Sequence, residues 1–189
     1  VKMITTGEGG MALTNDKSLA RRMERLRSHG ITKDIHEMKS EDCGPWYYEQ
    51  IELGFNYRMT DIQAALGISQ IERLDYYVKK RNLLADRYCK LLADMPLSLT
   101  EISVDSYSSM HIFVVTLELK KIKKSYKDFF NSMRHNGVGV MLHYIPVHLQ
   151  PFYKAMGFKA GDFPTSENYY SKALTLPLFP TMKFEEQDK

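Results

Sequence analysis

One long helical pattern constrains this chain more than any other feature. It opens at Thr60-Asp61-Ile62-Gln63, where a threonine followed three residues later by a glutamine forms a capping box. Apolar side chains then recur at helical spacing to about residue 94, at Ile62, Leu66, Ile71, Leu74, Val78, Leu84, Tyr88 and Leu91. Pro96 ends the pattern. A helix over 60–94 would be roughly 50 Å long, more than the width of one small domain, so we predict a bend or a strut between two domains.

The segments on either side of this helix differ in pattern. Before it, the sequence predicts a strand at 11–13, a helix from Asn15 or Asp16 to a stop at Gly30, and a loop over 31–50. After it, the sequence predicts a small α/β layer, with strands at 111–117, 138–144 and 174–178 and a helix at 125–135. The expected fold class is therefore α/β, with the best domain boundary near residue 95.

The composition excludes several classes of protein. With 189 residues, 43% hydrophobic and 26% charged, the chain can form a core, and no apolar run reaches the roughly 20 residues of a membrane helix. A net charge of +3 does not favour nucleic acid or a membrane as a partner. Cys43 and Cys89 lack paired or metal-binding spacing, so no disulfide framework or zinc site is predicted. We expect a soluble cytoplasmic protein, and both ends read as if cut from a longer chain.

Two short motifs precede the long helix. Gly7-Glu8-Gly9-Gly10 lacks the spacing of a nucleotide-binding loop and comes before a strand, so a tight turn is the preferred interpretation. Asn56, Tyr57 and Arg58 stand at the start of the long helix, where the helix dipole favours an anion. A phosphate site and an ordinary cap both remain open there.

Two histidines and one lysine complete the candidates. His143 and His148 lie on either side of Pro146 without a nearby carboxylate or thiol, which disfavours zinc. They either hydrogen-bond a polar ligand or are satisfied within the fold. Lys2, taken alone, is typical of a surface lysine.

Three strings of the sequence resemble one family, in the same order and at its spacing. They are residues 1–16 (VKMITTGEGGMALTND), residues 44–67 (GPWYYEQIELGFNYRMTDIQAALG) and residues 143–153 (HYIPVHLQPFY). The family is that of the DegT/DnrJ/EryC1/StrS aminotransferases, which act on nucleotide sugars with pyridoxal 5'-phosphate. The resemblance covers essentially the whole chain and is strongest to the pseudaminic acid branch. Members run to about twice this length, so the chain resembles their C-terminal half.

The resemblance implies a fold and a division into parts. It implies the C-terminal part of a type I aminotransferase fold, with the tail of the large cofactor-binding domain over 1–60, a connecting helix over 61–95, and a small α/β domain over 96–189. It also implies a homodimer whose active site is shared between subunits. The parts of the family fold that precede the lysine, which hold the cofactor's phosphate and ring, are not in this sequence.

The resemblance also assigns roles to particular residues. Lys2 matches the lysine that forms an imine with the cofactor; related dehydratases carry histidine there, so a lysine favours amino transfer. Asn56 matches a residue that reaches the partner subunit's cofactor phosphate and substrate. Contacts with the sugar nucleotide are implied for the stretch Met141, Leu142, His143 and Tyr144, and with less support for Arg58 and His148 near the diphosphate.

The implied reaction moves an amino group from glutamate to C4 of a UDP-linked 4-keto-6-deoxy-N-acetylhexosamine. The same reaction on a GDP- or dTDP-linked 4-keto-6-deoxy sugar is the first alternative. The second is that this segment is only a dimerisation fragment, without a cofactor or activity.

Overall fold

The computed structural model describes residues 2–40 and 44–189. Cys43 lies outside these residues, and Cys89 is a free thiol. The chain forms two compact units, the first over Met3–Glu72 and the second over Arg73–Lys189 together with Lys2. The three-part division at residues 60 and 95 stays a prediction. No helix of the described ranges has both the length and the apolar character that crossing a bilayer requires.

Both units contain helices and strands. The helices are α1 Lys17–Leu26, α2 Asp61–Ile71, α3 Leu74–Leu91, α4 Tyr126–His135, α5 Pro151–Ala155, α6 Pro164–Tyr170 and α7 Phe184–Gln187. The strands are β1 Ile31–Thr32, β2 Glu49–Gln50, β3 Leu97–Leu99, β4 Phe113–Leu117 and β5 Ala173–Leu176. A 3₁₀ turn covers Val147–Leu149. The mixed composition confirms the predicted α/β class.

In the first unit, α1 begins where the sequence predicts. Asp16 is its N-cap, and Asp16 Oδ1 accepts hydrogen bonds from the backbone N–H groups of Ser18 at 2.8 Å and Leu19 at 3.1 Å. Gly30 follows the helix with a φ of 71°, and a Cβ at this position would collide with the carbonyl oxygen of Glu52. The helix itself ends at Leu26, earlier than the predicted stop at Gly30, and Gly30 lies in the turn that follows, where its conformation and its close packing require a glycine.

The strand predicted at 11–13 is wrong. Residues 11–14 have no regular secondary structure, and Met11 and Leu13 are 77% and 87% exposed. A strand needs a neighbour that satisfies its N–H and C=O groups. The two-stranded sheet described in this unit consists of β1 and β2, which pair antiparallel with each other.

The segment predicted as a loop over 31–50 is held together by charged side chains. The carboxylate of Glu49 accepts hydrogen bonds from the backbone N–H groups of Lys39 at 2.6 Å and Ser40 at 2.8 Å. These bonds, with that from Lys39 the largest cause, lower the pKa of Glu49 to about 2. Arg25 of α1 pairs with Glu37 at 3.0 Å, which ties the same segment to the helix.

The helix predicted over 60–94 forms as two helices. Its start is confirmed, because Thr60 Oγ1 accepts from the N–H of Gln63 at 3.3 Å and Gln63 Oε1 accepts from the N–H of Thr60 at 3.0 Å. Its continuity is wrong at Glu72 and Arg73. Arg73 has φ −101° and ψ −3°, away from ideal helical values, so the hydrogen-bond ladder of α2 ends and that of α3 begins there.

In the second unit, α3 packs against a three-stranded antiparallel sheet with the order β3-β4-β5. Burial alternates along β4, and the buried side chains of this strand meet one face of α3. The core formed in this way contains Leu84, Ala85, Tyr88, Phe113, Val115, Leu117, Val140, Leu174, Leu178 and Met182. The helix predicted at 125–135 is confirmed as α4, and the strands predicted at 111–117 and 174–178 are confirmed as β4 and β5 with shifted ends.

The strand predicted at 138–144 is wrong except at one residue. Met141 forms a single antiparallel bridge with Thr175 of β5. Just before it, the N–H of Val140 donates to the carbonyl of Val138 at 2.8 Å, so this stretch bonds to itself instead of to β5. The backbone of 138–144 pairs with the sheet edge only at Met141.

Candidate active site

Residues 141–148, called the strip below, leave the sheet edge beside Thr175. The N–H of Met141 donates to the carbonyl of Thr175 at 3.1 Å, and the N–H of Thr175 donates back at 2.8 Å. His143 is half-buried, and its Nδ1 lies 2.8 Å from Thr175 Oγ1. Tyr144 is 67% exposed, with its ring 4.6 Å from the His143 ring in an edge-on arrangement. The strip therefore presents a phenol to solvent next to an imidazole that is already oriented.

His148 is buried, in contrast to the other predicted site residues. Its Nε2 lies 2.8 Å from Glu167 Oε1, and a carboxylate can only accept, so the imidazole donates. The backbone N–H of Gly161 donates to the same oxygen at 2.8 Å. These hydrogen bonds, with that from His148 the largest cause, lower the pKa of Glu167. His148 thus has an internal partner, and its predicted contact with a diphosphate stays a prediction.

In the first unit, the segment that carries Asn56 is fixed by its backbone. The N–H of Phe55 donates to the carbonyl of Leu26 at 2.6 Å, and the N–H of Tyr57 donates to the carbonyl of Arg27 at 2.9 Å. Asn56 itself is exposed and forms an isolated bridge with Ser28. Its amide side chain is thus carried on an ordered backbone at the end of α1.

Arg58 is exposed and comes two residues before the capped start of α2. A guanidinium beside a helix N-terminus favours an anion, whereas the carboxylate of Asp61 in the first turn opposes one. The start of α2 therefore has the Arg58 guanidinium, which favours an anion, and the Asp61 carboxylate, which repels one.

Lys2 is exposed, and the residues after it form turns held by their own side chains. Gly7 has a φ of 79°, and its backbone N–H donates a hydrogen bond to Thr5 Oγ1 at 3.1 Å. Thr6 Oγ1 donates to the carbonyl of Glu8 at 3.0 Å, and Gln63 Nε2 donates to the same carbonyl at 2.9 Å. This geometry agrees with the interpretation of the glycine motif as a turn.

The described residues fit pyridoxal 5'-phosphate in their chemistry. An imine requires an accessible primary amine, which Lys2 has. A phosphate requires amide or guanidinium donors, and Asn56 and Arg58 are both exposed. Asn56 and Arg58 belong to the first unit, whereas the strip belongs to the second unit. Each unit by itself therefore contains only some of the predicted site residues.

The family profile of the DegT/DnrJ/EryC1/StrS aminotransferases matches residues 1–189. The chain belongs to this family. The resemblance noted from the three strings is therefore confirmed.

Relatives within the DegT/DnrJ/EryC1/StrS family include two curated bacterial proteins. One is the spore coat polysaccharide biosynthesis protein SpsC of Bacillus subtilis, 36% identical over 190 residues, covering 99% of this chain and 49% of that protein. The other is a UDP-4-amino-4,6-dideoxy-N-acetyl-beta-L-altrosamine transaminase of Campylobacter jejuni, 33% identical, covering 98% of this chain and 47% of that protein. The chain spans about half the length of these curated relatives.

A solved member of the family has the same fold. Helicobacter pylori PseC, described as an aminotransferase involved in the biosynthesis of pseudoaminic acid, aligns with 100% of this chain and 48% of its own, with a TM-score of 0.84 and 27% identity. The chain therefore has part of the type I fold of pyridoxal-phosphate-dependent aminotransferases.

Sequence reasoning missed two residues that hold the strip, Thr175 and Glu167. Thr175 lies 32 positions after His143, inside a strand, and nothing in its local pattern marks it. Glu167 stands in the first turn of α6, where an acidic residue is favourable for the helix alone. The sequence pattern around Thr175 and Glu167 is the same as that of an ordinary strand or helix residue, so it does not predict their hydrogen bonds to His143 and His148.

Proposed function

We propose that the protein is a pyridoxal 5'-phosphate-dependent transaminase that moves an amino group from glutamate to C4 of a UDP-linked 4-keto-6-deoxy-N-acetylhexosamine, as in pseudaminic acid biosynthesis. The observation that carries the proposal is an accessible lysine at position 2 within a chain that matches the aminotransferase family over its whole length. The names of the Campylobacter transaminase and of Helicobacter PseC support the choice of sugar.

Lys2 is the proposed catalytic residue. The cofactor, when bound, supplies an electron sink that stabilises negative charge on the substrate carbon. Lys2 Nζ would hold the cofactor, and as a free amine it would take a proton from the carbon that bears the amino group and deliver it to the carbon of the cofactor that receives that group. An arginine could not do this, because its guanidinium does not lose a proton near neutral pH.

The other proposed site residues bind and orient. Asn56 acts in the partner subunit's site of a homodimer, where its amide donates to the cofactor phosphate and the substrate, and Arg58 pairs with the diphosphate. Support comes from their exposure and from the ordered backbone beneath Asn56.

In the second unit, the strip contacts the sugar nucleotide. The Tyr144 phenol and the His143 imidazole can each hydrogen-bond a hydroxyl, an amide or a phosphate oxygen. Met141 and Leu142 form the wall beside them. His148 is kept as a neighbour of the diphosphate, through the ring nitrogen that does not face Glu167.

The test is an assay of the full-length protein, loaded with the cofactor, with glutamate and a panel of UDP-, GDP- and dTDP-linked 4-keto-6-deoxy sugars. We expect formation of the 4-amino product from the UDP-linked N-acetylhexosamine at the highest kcat/KM. A clear preference for another nucleotide would replace the proposed substrate, and no turnover with any of them would overturn the transaminase proposal.

A further inference from the structure

Glu167 joins two loops of the second unit through one oxygen atom. Its Oε1 accepts from His148 Nε2 and from the N–H of Gly161, each at 2.8 Å. The His148 residue is only 7% exposed, and its ring lies 4.8 Å from the ring of Phe163. Loss of one partner from such a pair leaves a buried polar group without a hydrogen bond, which is costly. The 3₁₀ turn that carries His148 is therefore held from α6, 19 positions further along the chain.

The strip is anchored at both ends. Between the anchors Tyr144, Ile145 and Val147 are exposed, whereas Pro146 is buried. At its start, Met141 and His143 bond to Thr175 of the sheet. At its end, His148 bonds to Glu167. Between these anchors Tyr144 is 67% exposed, so its position depends on a backbone that is fixed on either side.

We propose that Glu167 is a positioning residue for nucleotide-sugar binding. It holds His148, and through the turn at 147–149 it fixes the backbone that presents His143 and Tyr144. Glu167 acts through His148 and does not touch the substrate. This inference rests on the proposed function in one respect, namely that the strip contacts the sugar nucleotide.

A double-mutant cycle on the full-length, cofactor-loaded protein tests the coupling. The variants are Glu167→Ala, His148→Ala and the double variant, with the exposed Glu101→Ala as the matched control. The probes are UDP-N-acetylglucosamine, GDP-mannose and dTDP-glucose, titrated by calorimetry. We expect each single variant to raise the Kd of whichever probe binds the wild type by about three- to tenfold. The Kd of the double variant should not exceed the higher of the two single-variant values, because both substitutions remove the same interaction.

The two half-reactions separate positioning from general loss of structure. Glu167→Ala should raise the KM of the sugar half-reaction and leave the glutamate half-reaction unchanged. Glu167→Gln, which keeps an acceptor oxygen, should recover part of the loss and also serves if the alanine variant does not fold.

The outcomes distinguish a failure of the positioning role of Glu167 from a failure of the proposed function. Additive effects in the cycle, or equal losses in both half-reactions, would overturn the positioning role while leaving the transaminase proposal in place. A wild-type protein that binds none of the three probes and turns over no nucleotide sugar would overturn the proposed function, and this inference with it.

Discussion

At the scale of single residues, Lys2 is proposed to be essential for the reaction although it contributes little to packing. It is exposed, so removing its side chain should cost little stability, while the proposed reaction depends on its amine. We predict that Lys2→Ala in the full-length protein abolishes amino transfer and leaves the fold intact. Single-turnover assays with circular dichroism check this, with the exposed Lys120→Ala as a control that should retain activity. Substantial turnover by Lys2→Ala would exclude the assignment.

His143 gives a graded prediction. Loss of one hydrogen bond costs about 0.5–1.5 kcal/mol for a neutral partner and about 1.5–3 kcal/mol for a charged one, so His143→Ala should lower kcat/KM for the sugar by roughly three- to a hundredfold. The glutamate half-reaction should change far less. Rapid-mixing measurements of each half-reaction separate the two cases. Equal losses in both would mean that His143, through Thr175, supports the fold instead.

At the scale of elements, α3 supplies the core of the second unit through one face. Leu84 is 2% exposed and lies in the core, whereas Leu83, its neighbour on the same helix, is 50% exposed. We predict that Leu84→Ala lowers the free energy of unfolding by about 2–5 kcal/mol, because it leaves a cavity. Leu83→Ala should cost less than about 1 kcal/mol. Urea denaturation of both variants measures the difference, and similar costs would contradict the packing described here.

In the segment between β1 and β2 the Glu49 carboxylate accepts backbone hydrogen bonds from Lys39 and Ser40, and this gives a pH dependence. The pKa of Glu49 is lowered to about 2, chiefly by the N–H of Lys39, so the folded state binds fewer protons than the unfolded chain. The stability that Glu49 contributes is complete above its ordinary pKa of about 4.5 and is lost as pH falls toward 2.

We therefore predict that Glu49→Gln flattens the pH dependence of stability between about pH 4.5 and 2. Side-chain carboxyl NMR of the wild type, followed against pH, should show Glu49 titrating well below its ordinary pKa of about 4.5. A midpoint for Glu49 near 4.5 would show that these hydrogen bonds do not hold in solution.

At the scale of the whole molecule, the chain exposes more surface than its mass accounts for. The accessible surface is 14412 Å². Two separate compact bodies of about 8 and 14 kDa would together expose about 11,000 Å². The excess is roughly 3,000 Å² on this one chain. Exposed apolar side chains of α2, with Ile62 at 84% and Ile68 at 63%, contribute to it.

The proposed shared site of a homodimer gives a test by subunit exchange. Asn56→Ala should weaken cofactor retention, and Lys2→Ala should be inactive. Mixing the two inactive or weakened proteins should form heterodimers in which one site has both Lys2 and Asn56, and activity should return to a fraction of the wild-type value. No recovery after confirmed exchange would place Asn56 in the same site as its own Lys2.

Features written in short stretches of sequence were predicted from the sequence alone. The N-cap at Asp16 and the capping box at Thr60 depend on residues two or three positions apart, so local hydrogen bonding decides them. The strand β4 was likewise predicted from its own run of strand-forming residues, whereas the alternation of its burial was seen only in the structure. The family was also predicted from three stretches of sequence that occur in the family's order, and the family profile that matches residues 1–189 confirms it.

Features that need a distant partner were decided only by the tertiary structure. Residues 138–144 have strand-forming composition, yet their backbone pairs with the sheet only at Met141, because a strand is defined by its neighbour and not by its own residues. Likewise His143 and His148 look alike in sequence, but Thr175 and Glu167, 32 and 19 positions away, leave one half-exposed and bury the other. Composition cannot encode such pairings, since each forms only when separate elements pack together.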